Sequence, residues 1–183
     1  GMQFSGMNTN IMLRSNEPAT TWSAVGSPTV TNAVGNMFGA NMPYGTIAGV
    51  SGEGIKQTNA SYATADKAYV ASAFVQTASG SCAGQIILEG STGGSIQTEA
   101  KAFTATTTRQ QVFVWKEFNS SATGNVTMRI NLTASCTLRI AGMMVEPRKV
   151  SLGYNIRGPG VFIPTTSAVV QTLPNFLWYN TAG

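Results

Sequence analysis

The sequence predicts an antiparallel β-sandwich of jelly-roll type with an irregular C-terminal extension, an all-β fold. Two observations carry that expectation. Only 10% of the 183 residues are charged and no stretch sustains helical periodicity, which disfavours bundles and coiled coils. Twenty glycines and seven prolines, with abundant Thr, Ser and Asn, punctuate short runs of alternating apolar and polar residues. An apolar share of 43%, spread along the whole chain, is enough for one well-filled core and argues against disorder.

Asn10 to Arg14, Ser27 to Thr31, Thr46 to Val50 and Gly54 to Thr58 read as the first short strands. Lys67 to Gln76 is longer, with Tyr69, Ala71, Ala73 and Val75 on one face and Val70, Ser72, Phe74 and Gln76 on the other. Gly84 to Glu89 follows, closed by a turn over Gly90 to Gly94. Ser95 to Ala105 and Gln110 to Phe118 are expected to pair across residues 106–109. Asn125 to Leu132 alternates most cleanly, Val126, Met128, Ile130 and Leu132 against Thr127, Arg129 and Asn131. Cys136 to Glu146, with Leu138 and Ile140 inward and a bulge expected at Gly142, is read as its hairpin partner. Residues 147–183 hold four of the seven prolines and end in Phe176-Leu177-Trp178-Tyr179, an apolar segment that needs cover on the sandwich or on a neighbouring subunit. The expected organisation is a disordered or tag-derived start over 1–7, the sandwich over 8–146 and the extension over 147–183.

Histidine is absent and Asp66 is the only aspartate among seven acids, so catalytic triads and histidine acid–base chemistry are unavailable. An enzyme is therefore not expected, and no catalytic residue is assigned. Glu89 and Glu99 are the nearest acidic pair for glycoside hydrolysis, but both read as solvated edge residues. The net charge of +4 comes from scattered cations, the nearest thing to a cluster being Arg148-Lys149 with Arg157, so no nucleic-acid partner is expected. No apolar run reaches the length of a membrane span, and the N-terminus has neither the basic nor the apolar region of a signal peptide. The sequons at Asn59, Asn119, Asn125 and Asn131 carry little weight in a chain so rich in Ser and Thr. Cys82 and Cys136 lack metal-ligand spacing. Two buried thiols are the simpler expectation in a domain of this size, though both cysteines flank turns at strand ends and a bridge stays open. The methionines, among them Met12 and the pair Met143-Met144, are expected to fill gaps in the core or an interface.

Several pieces in order resemble the jelly-roll modules of bacteriophage tail fibres and tailspikes, which are related in fold to carbohydrate-binding modules. Asn10-Ile11-Met12-Leu13-Arg14-Ser15-Asn16-Glu17 with Trp22 is similar to their opening strand and tryptophan. Tyr69 to Val75, then Gly84 to Glu89, is similar to an internal strand and its partner. Ile140 to Glu146 resembles the closing strand, and Phe162-Ile163-Pro164-Thr165-Thr166-Ser167-Ala168 the segment that follows it. Pro147 stands where a glycine is common, and the link from Glu146 to Phe162 is longer than usual. The resemblance implies a virion or prophage tail protein, assembled in the bacterial cytoplasm as a homo-oligomer, a trimer by preference, with other tail proteins as partners. It also implies a host-surface glycan as ligand, or a connector role with no small ligand; a glycan depolymerase ranks below both.

Glycan binding needs aromatic platforms flanked by planar polar groups. Trp22, Tyr44, Tyr62 and Trp115 are the candidate platforms, and Asn41 is a polar partner for Tyr44. Trp115 shares its strand face with Phe113 and Glu117. Related modules often hold calcium near their first and last strands, where Glu17 and Glu146 stand here. No Asp-rich loop supplies the further oxygens, so neither metal nor other cofactor is expected, and Glu146 is expected to pair with Arg148 or Arg14.

Overall fold

Alternation of apolar and polar side chains builds two sheets whose apolar faces meet. A computed structural model describes residues 8–35, 42–64, 67–91, 97–119, 121–122, 124–148, 159 and 170–172. Its elements are β1 (Asn8–Asn10), α1 (Pro18–Thr21), β2 (Ser23–Val25), β3 (Thr29–Gly35), β4 (Met42–Gly49), β5 (Gly54–Ala63), β6 (Ala68–Gln76), β7 (Cys82–Ser91), β8 (Thr98–Ala105), β9 (Gln110–Glu117), β10 (Asn125–Leu132), β11 (Cys136–Arg148) and β12 (Val170–Thr172). One five-stranded antiparallel sheet runs β2-β5-β10-β7-β8 and the other β3-β4-β11-β6-β9, the arrangement of a jelly-roll sandwich. Ile55, Ile86, Leu88, Met128, Ile130 and Leu132 from the first sheet meet Ile47, Tyr69, Leu138, Ile140, Met143 and Val145 from the second. Met12, Met128, Met143 and Met144 are all buried.

The strands expected from alternation are present, but three expected pairings are not. β10 and β11 are no hairpin: β10 lies between β5 and β7, whereas β11 lies between β4 and β6 in the opposite sheet. Likewise β8 pairs with β7 and β9 with β6, so the turn at 106–109 crosses from one sheet to the other. β6 and β7 also belong to different sheets. Periodicity reports which face of a strand is buried and is silent about its neighbour. Only β3–β4 and β7–β8 join consecutive strands within a sandwich sheet. The short connections at 133–135 and 106–109 pass over the edge because each flanking strand buries its apolar side against the other.

The opening segment also differs from expectation. Asn10 to Arg14 is not a strand; after β1, residues 11–16 run irregularly between the two sheets. Buried amides replace the missing ladder. The Asn10 Nδ2 donates to the Met143 carbonyl (3.2 Å), while its Oδ1 accepts from the Met12 N–H (3.1 Å) and the Val145 N–H (3.3 Å). The Ile11 N–H donates to the Val145 carbonyl and the Met143 N–H to the Ser15 carbonyl, both at 3.0 Å. From the opposite sheet Gln57 grips Leu13 through both its atoms: Oε1 accepts from the N–H (2.6 Å) and Nε2 donates to the carbonyl (3.1 Å). The Asn59 Nδ2 donates to the Ile11 carbonyl at 2.7 Å.

This segment docks on the expected bulge. Register in β11 slips between Ala141 and Met144, and Gly142 takes a φ of 61°, a left-handed conformation that glycine adopts without strain. The freed Gly142 N–H donates to Asn16 Oδ1 at 2.7 Å. Gly45 of β4 makes a second close approach possible, since a Cβ there would lie 2.0 Å from Pro18 of α1.

Cys82 and Cys136 are bonded, with a Cα–Cα separation of 5.5 Å. The bridge overturns the simpler expectation of free thiols, because the first residues of β7 and β11 stand opposite one another across the core. It ties one sheet to the other over a separation of 54 residues. Loop closure of that size is worth on the order of 4 kcal/mol in the chain-entropy account. The C-terminal extension contributes β12, which pairs antiparallel with β1 (Asn8 opposite Thr172, Asn10 opposite Val170). Residues 1–7, the turn at 92–94 and the motif at 162–168 lie outside the described residues, as does the aromatic segment at 176–179.

Asn10→Leu removes an amide that serves three backbone groups at once. It should cost about 2–4 kcal/mol of unfolding free energy by chemical denaturation. A loss under 0.5 kcal/mol would show that the segment contributes little to closing the sandwich.

Candidate functional site

The outer face of the β3-β4-β11-β6-β9 sheet carries Tyr44, Phe74, Phe113 and Trp115, three of them with a cation over the ring. Residues directly opposed on neighbouring strands share a face, so the register sorts them into rows. Thr31, Thr46, Arg139 and Gln76 form one row. The next holds Ala141, Phe74 and Gln111, and on β3 and β4 Ala33 lies beside Tyr44, one residue past the last β4–β11 pair, Gly45 with Ile140. Beyond it come Met144, Ser72 and Phe113, and then Glu146, Val70 and Trp115.

The second row makes a trough. Ala141 on the central strand is fully buried and small, and Tyr44 and Phe74 stand on the strands either side of it. Two strand spacings put these walls roughly 10 Å apart. Both rings are half-buried. Thr46, Arg139 and Gln76 line one side, and the Thr31 and Thr46 hydroxyls are hydrogen-bonded at 2.5 Å. The Gln76 Nε2 donates to the Thr107 carbonyl at 2.6 Å, holding the β8–β9 turn that carries Arg109 against the trough.

Cations sit over the rings. The Arg139 guanidinium lies 5.6 Å from the Tyr44 centroid, that of Arg109 5.6 Å from Phe74, and the Lys101 ammonium 4.6 Å from Phe113. The opposite end of the face is closed, with Val70, Ser72, Met144 and Glu146 all buried. There Glu146 Oε2 pairs with Arg148 Nη2 at 3.1 Å, one of the two partners expected for it. Glu17 pairs with Arg14 at 3.1 Å. Among the described residues no group of three Asp, Glu, Cys or His side chains comes together.

The sequence-predicted platforms are dispersed. Tyr44 is a wall of the trough, and Trp115 lies on the same face beside the closed end, half-buried, with Phe113 and Glu117 on its side of the strand. Trp22 is a core residue, 7% exposed, whose Nε1 donates to the Leu13 carbonyl (3.1 Å); it helps hold residues 11–16, the plug between the two sheets, and offers no platform. Tyr62, in β5, packs against the core from the other sheet. Asn41 lies outside the described residues. Glu89 and Glu99 do not converge: Glu89 opposes Thr98 and Glu99 opposes Leu88, so they point to opposite sides of the β7–β8 ladder. Arg129 (3.5 Å) and Lys116 (3.8 Å) pair with them. Phe74, Arg109, Arg139 and Gln76 were not among the candidates. The alternation of β6 puts Phe74 and Gln76 on one face, but only the β11–β6 register brings Arg139 beside them.

No protein-family model matches the chain, and no curated protein matches it. Solved structures do. The xylan-binding CBM22-1 domain of Paenibacillus barcinonensis Xyn10C superposes with a TM-score of 0.61 at 11% identity, over 82% of this chain and 98% of that one. The C-terminal family 22 carbohydrate-binding module of Clostridium thermocellum Xyn10B gives 0.58 at 12% identity, over 79% and 94%. The enzymatically active domain of bacteriophage CBA120 tailspike protein 4 gives 0.57 at 11%, over 76% of this chain but only 21% of that one. At such identities the fold is what is shared, and it is that of carbohydrate-binding β-sandwich domains.

Burial pushes the Tyr69 phenol up to about 12 from 10.0, and Tyr62 adds to the rise. A raised folded-state value means stability is fully present below pH 10 and is lost as pH climbs from 10 to 12, since the unfolded chain ionises first. Wild-type protein should lose on the order of 2 kcal/mol across that window. Tyr69→Phe should flatten this limb in urea titrations; an unchanged slope would remove Tyr69 as its source.

Proposed function

We propose that this protein is a non-catalytic glycan-binding module whose ligand lies in the trough between Tyr44 and Phe74. The observation that carries this is the placement of two aromatic walls on either side of a small buried residue, with Thr, Gln and Arg side chains along the rim. Pyranose rings present apolar faces to aromatic rings and hydroxyls to amides and guanidinium groups, which is the chemistry this row offers. A rigid sheet holds both walls, so little ordering entropy is lost on binding. The carbohydrate-binding fold supports the reading, and two of the solved neighbours are named for xylan binding or carbohydrate binding.

Affinity electrophoresis of the full chain through gels containing soluble polysaccharides, neutral and acidic, tests it. Retention on at least one polymer is expected, weakened roughly tenfold by Tyr44→Ala or Phe74→Ala with an unchanged melting temperature. No retention across the panel, or retention indifferent to both substitutions, would defeat the proposal.

The setting we propose is a phage or prophage tail, where a trimer would multiply weak single-site binding. The tail-module motifs of the sequence support it, as does the likeness to a part of a phage tailspike. Light scattering should give three times the mass of 19.1 kDa. A monomer at micromolar concentration would instead favour a free-standing binding module.

A further inference from the structure

We infer that the outer edge of β8 is a self-pairing surface: two copies of this chain join β8 to β8, antiparallel, about a two-fold axis at Ala100. The inference goes beyond glycan binding and does not depend on it. β8 ends its sheet, and its pairing with β7 fixes which backbone groups are left over. The Gly90 N–H donates to the Gln97 carbonyl, one step past the Glu89–Thr98 pair, so the odd-numbered residues of β8 bond to β7. The N–H and carbonyl groups of Thr98, Ala100 and Ala102 therefore point away from the sheet. Thr104 keeps this phase, its carbonyl accepting from Gln110 Nε2 at 2.8 Å. Toward the other end the edge is open, with every residue from Thr98 to Ala102 exposed. Such an edge is a template for another strand, and no proline, glycine or register slip blunts it. Two other edges differ: β2 has three residues, and Ala19 and Thr20 of α1 meet Asn32 on β3.

Charge names the occupant. Glu99 and Lys101 flank Ala100, so a second β8 running antiparallel about that residue sets Glu99 opposite Lys101 of the second copy, and the reverse. These are non-hydrogen-bonded pairs, whose side chains approach most closely. Ala100 opposes itself and Thr98 opposes Ala102, and each pair exchanges both of its backbone bonds. The next permitted registers on either side set Glu99 against Glu99 or Lys101 against Lys101, which repel. The pattern is thus complementary to itself in one register only. Within a single chain the two charges are held loosely. Glu99 lies 3.8 Å from Lys116, and Lys101 sits 4.6 Å over the Phe113 ring. A contact of this isologous kind doubles whatever species the chain otherwise forms.

The test is covalent capture in the full chain. Its two native cysteines are bonded to each other, so an introduced thiol meets no native one. Ala100→Cys should give a disulfide-linked dimer on non-reducing gels after mild oxidation at high micromolar concentration, since opposed residues lie about 5.5 Å apart. Thr98→Cys and Ala102→Cys should each stay unlinked alone, because each thiol then lies roughly 13 Å from its copy. Mixed, those two variants should link to one another. Glu99→Lys added to Ala100→Cys should cut the yield of dimer roughly tenfold, and Lys101→Glu added to both should restore it. No dimer from Ala100→Cys overturns the proposal, as does equal linking at all three positions, the mark of random collision. A double charge exchange that stays unlinked at the wild-type melting temperature overturns it too. Should the charge variants melt early, the dependence of linking on thiol position still decides. None of these results touches retention on polysaccharides, so the glycan reading stands or falls separately.

Discussion

Everything in this sandwich depends on how the chain closes the gap between its sheets, and it does so with side-chain amides. Residues 11–16 have no continuous ladder partner, yet Ile11, Met12, Ser15 and Asn16 are buried. Asn10 and Asn16 serve the backbone around the β11 bulge, and Gln57 and Asn59 serve the plug from the other sheet. A buried polar group without a partner costs more than a formed bond returns, so such a network is held together chiefly by the penalty for losing any member. The bulge and the plug are thus a single device. Gly142 frees the backbone groups that the plug takes up, and the plug fixes where β11 changes register.

That register matters beyond the core. By slipping one residue between Ala141 and Met144, β11 turns Met143 and Val145 inward while Met144 and Glu146 face outward. Ahead of the slip, Arg139 and Ala141 take the outer face beside Gln76 and Phe74. The floor of the trough and its central arginine are therefore positioned by the same strand whose bulge anchors the N-terminal segment. Outer face and core share one structural origin, some residues apart on β11.

How much of this was legible in the sequence varies with the kind of information each residue carries. Alternation marks both ends of the strand Asn125–Leu132 and sorts the faces of the segment ending at Gln76, because it is local and strong. Gly142 announced its bulge by interrupting an otherwise regular strand. Strand neighbours were misjudged wherever the chain crosses between sheets, since no local pattern distinguishes a hairpin turn from an equally short crossing. The plug reads as a strand because its apolar run, Ile11-Met12-Leu13, looks the same whether a ladder or a set of distant amides satisfies its backbone. Trp22 stood in a polar loop and suggested a platform, but its indole N–H answers the Leu13 carbonyl inside the core. Of the trough, Tyr44 was visible as an aromatic in a polar setting. Phe74 and Arg139 come onto neighbouring rows only through the pairing of two strands more than sixty residues apart in sequence.

The pairing of β1 with β12 has a mechanical consequence. Asn8 opposes Thr172 and Asn10 opposes Val170, so the two strands form one short antiparallel ribbon. Tension applied between Asn8 and Thr172 would peel that ribbon open one hydrogen bond at a time, the weakest way to load a β-pair. Behind it stand the Ile11–Val145 bond, the amide plug and the Cys82–Cys136 bridge, which join the two sheets. The ribbon is a tear strip: a pull between Asn8 and Thr172 spends itself there before it reaches the bonds that hold the sheets together.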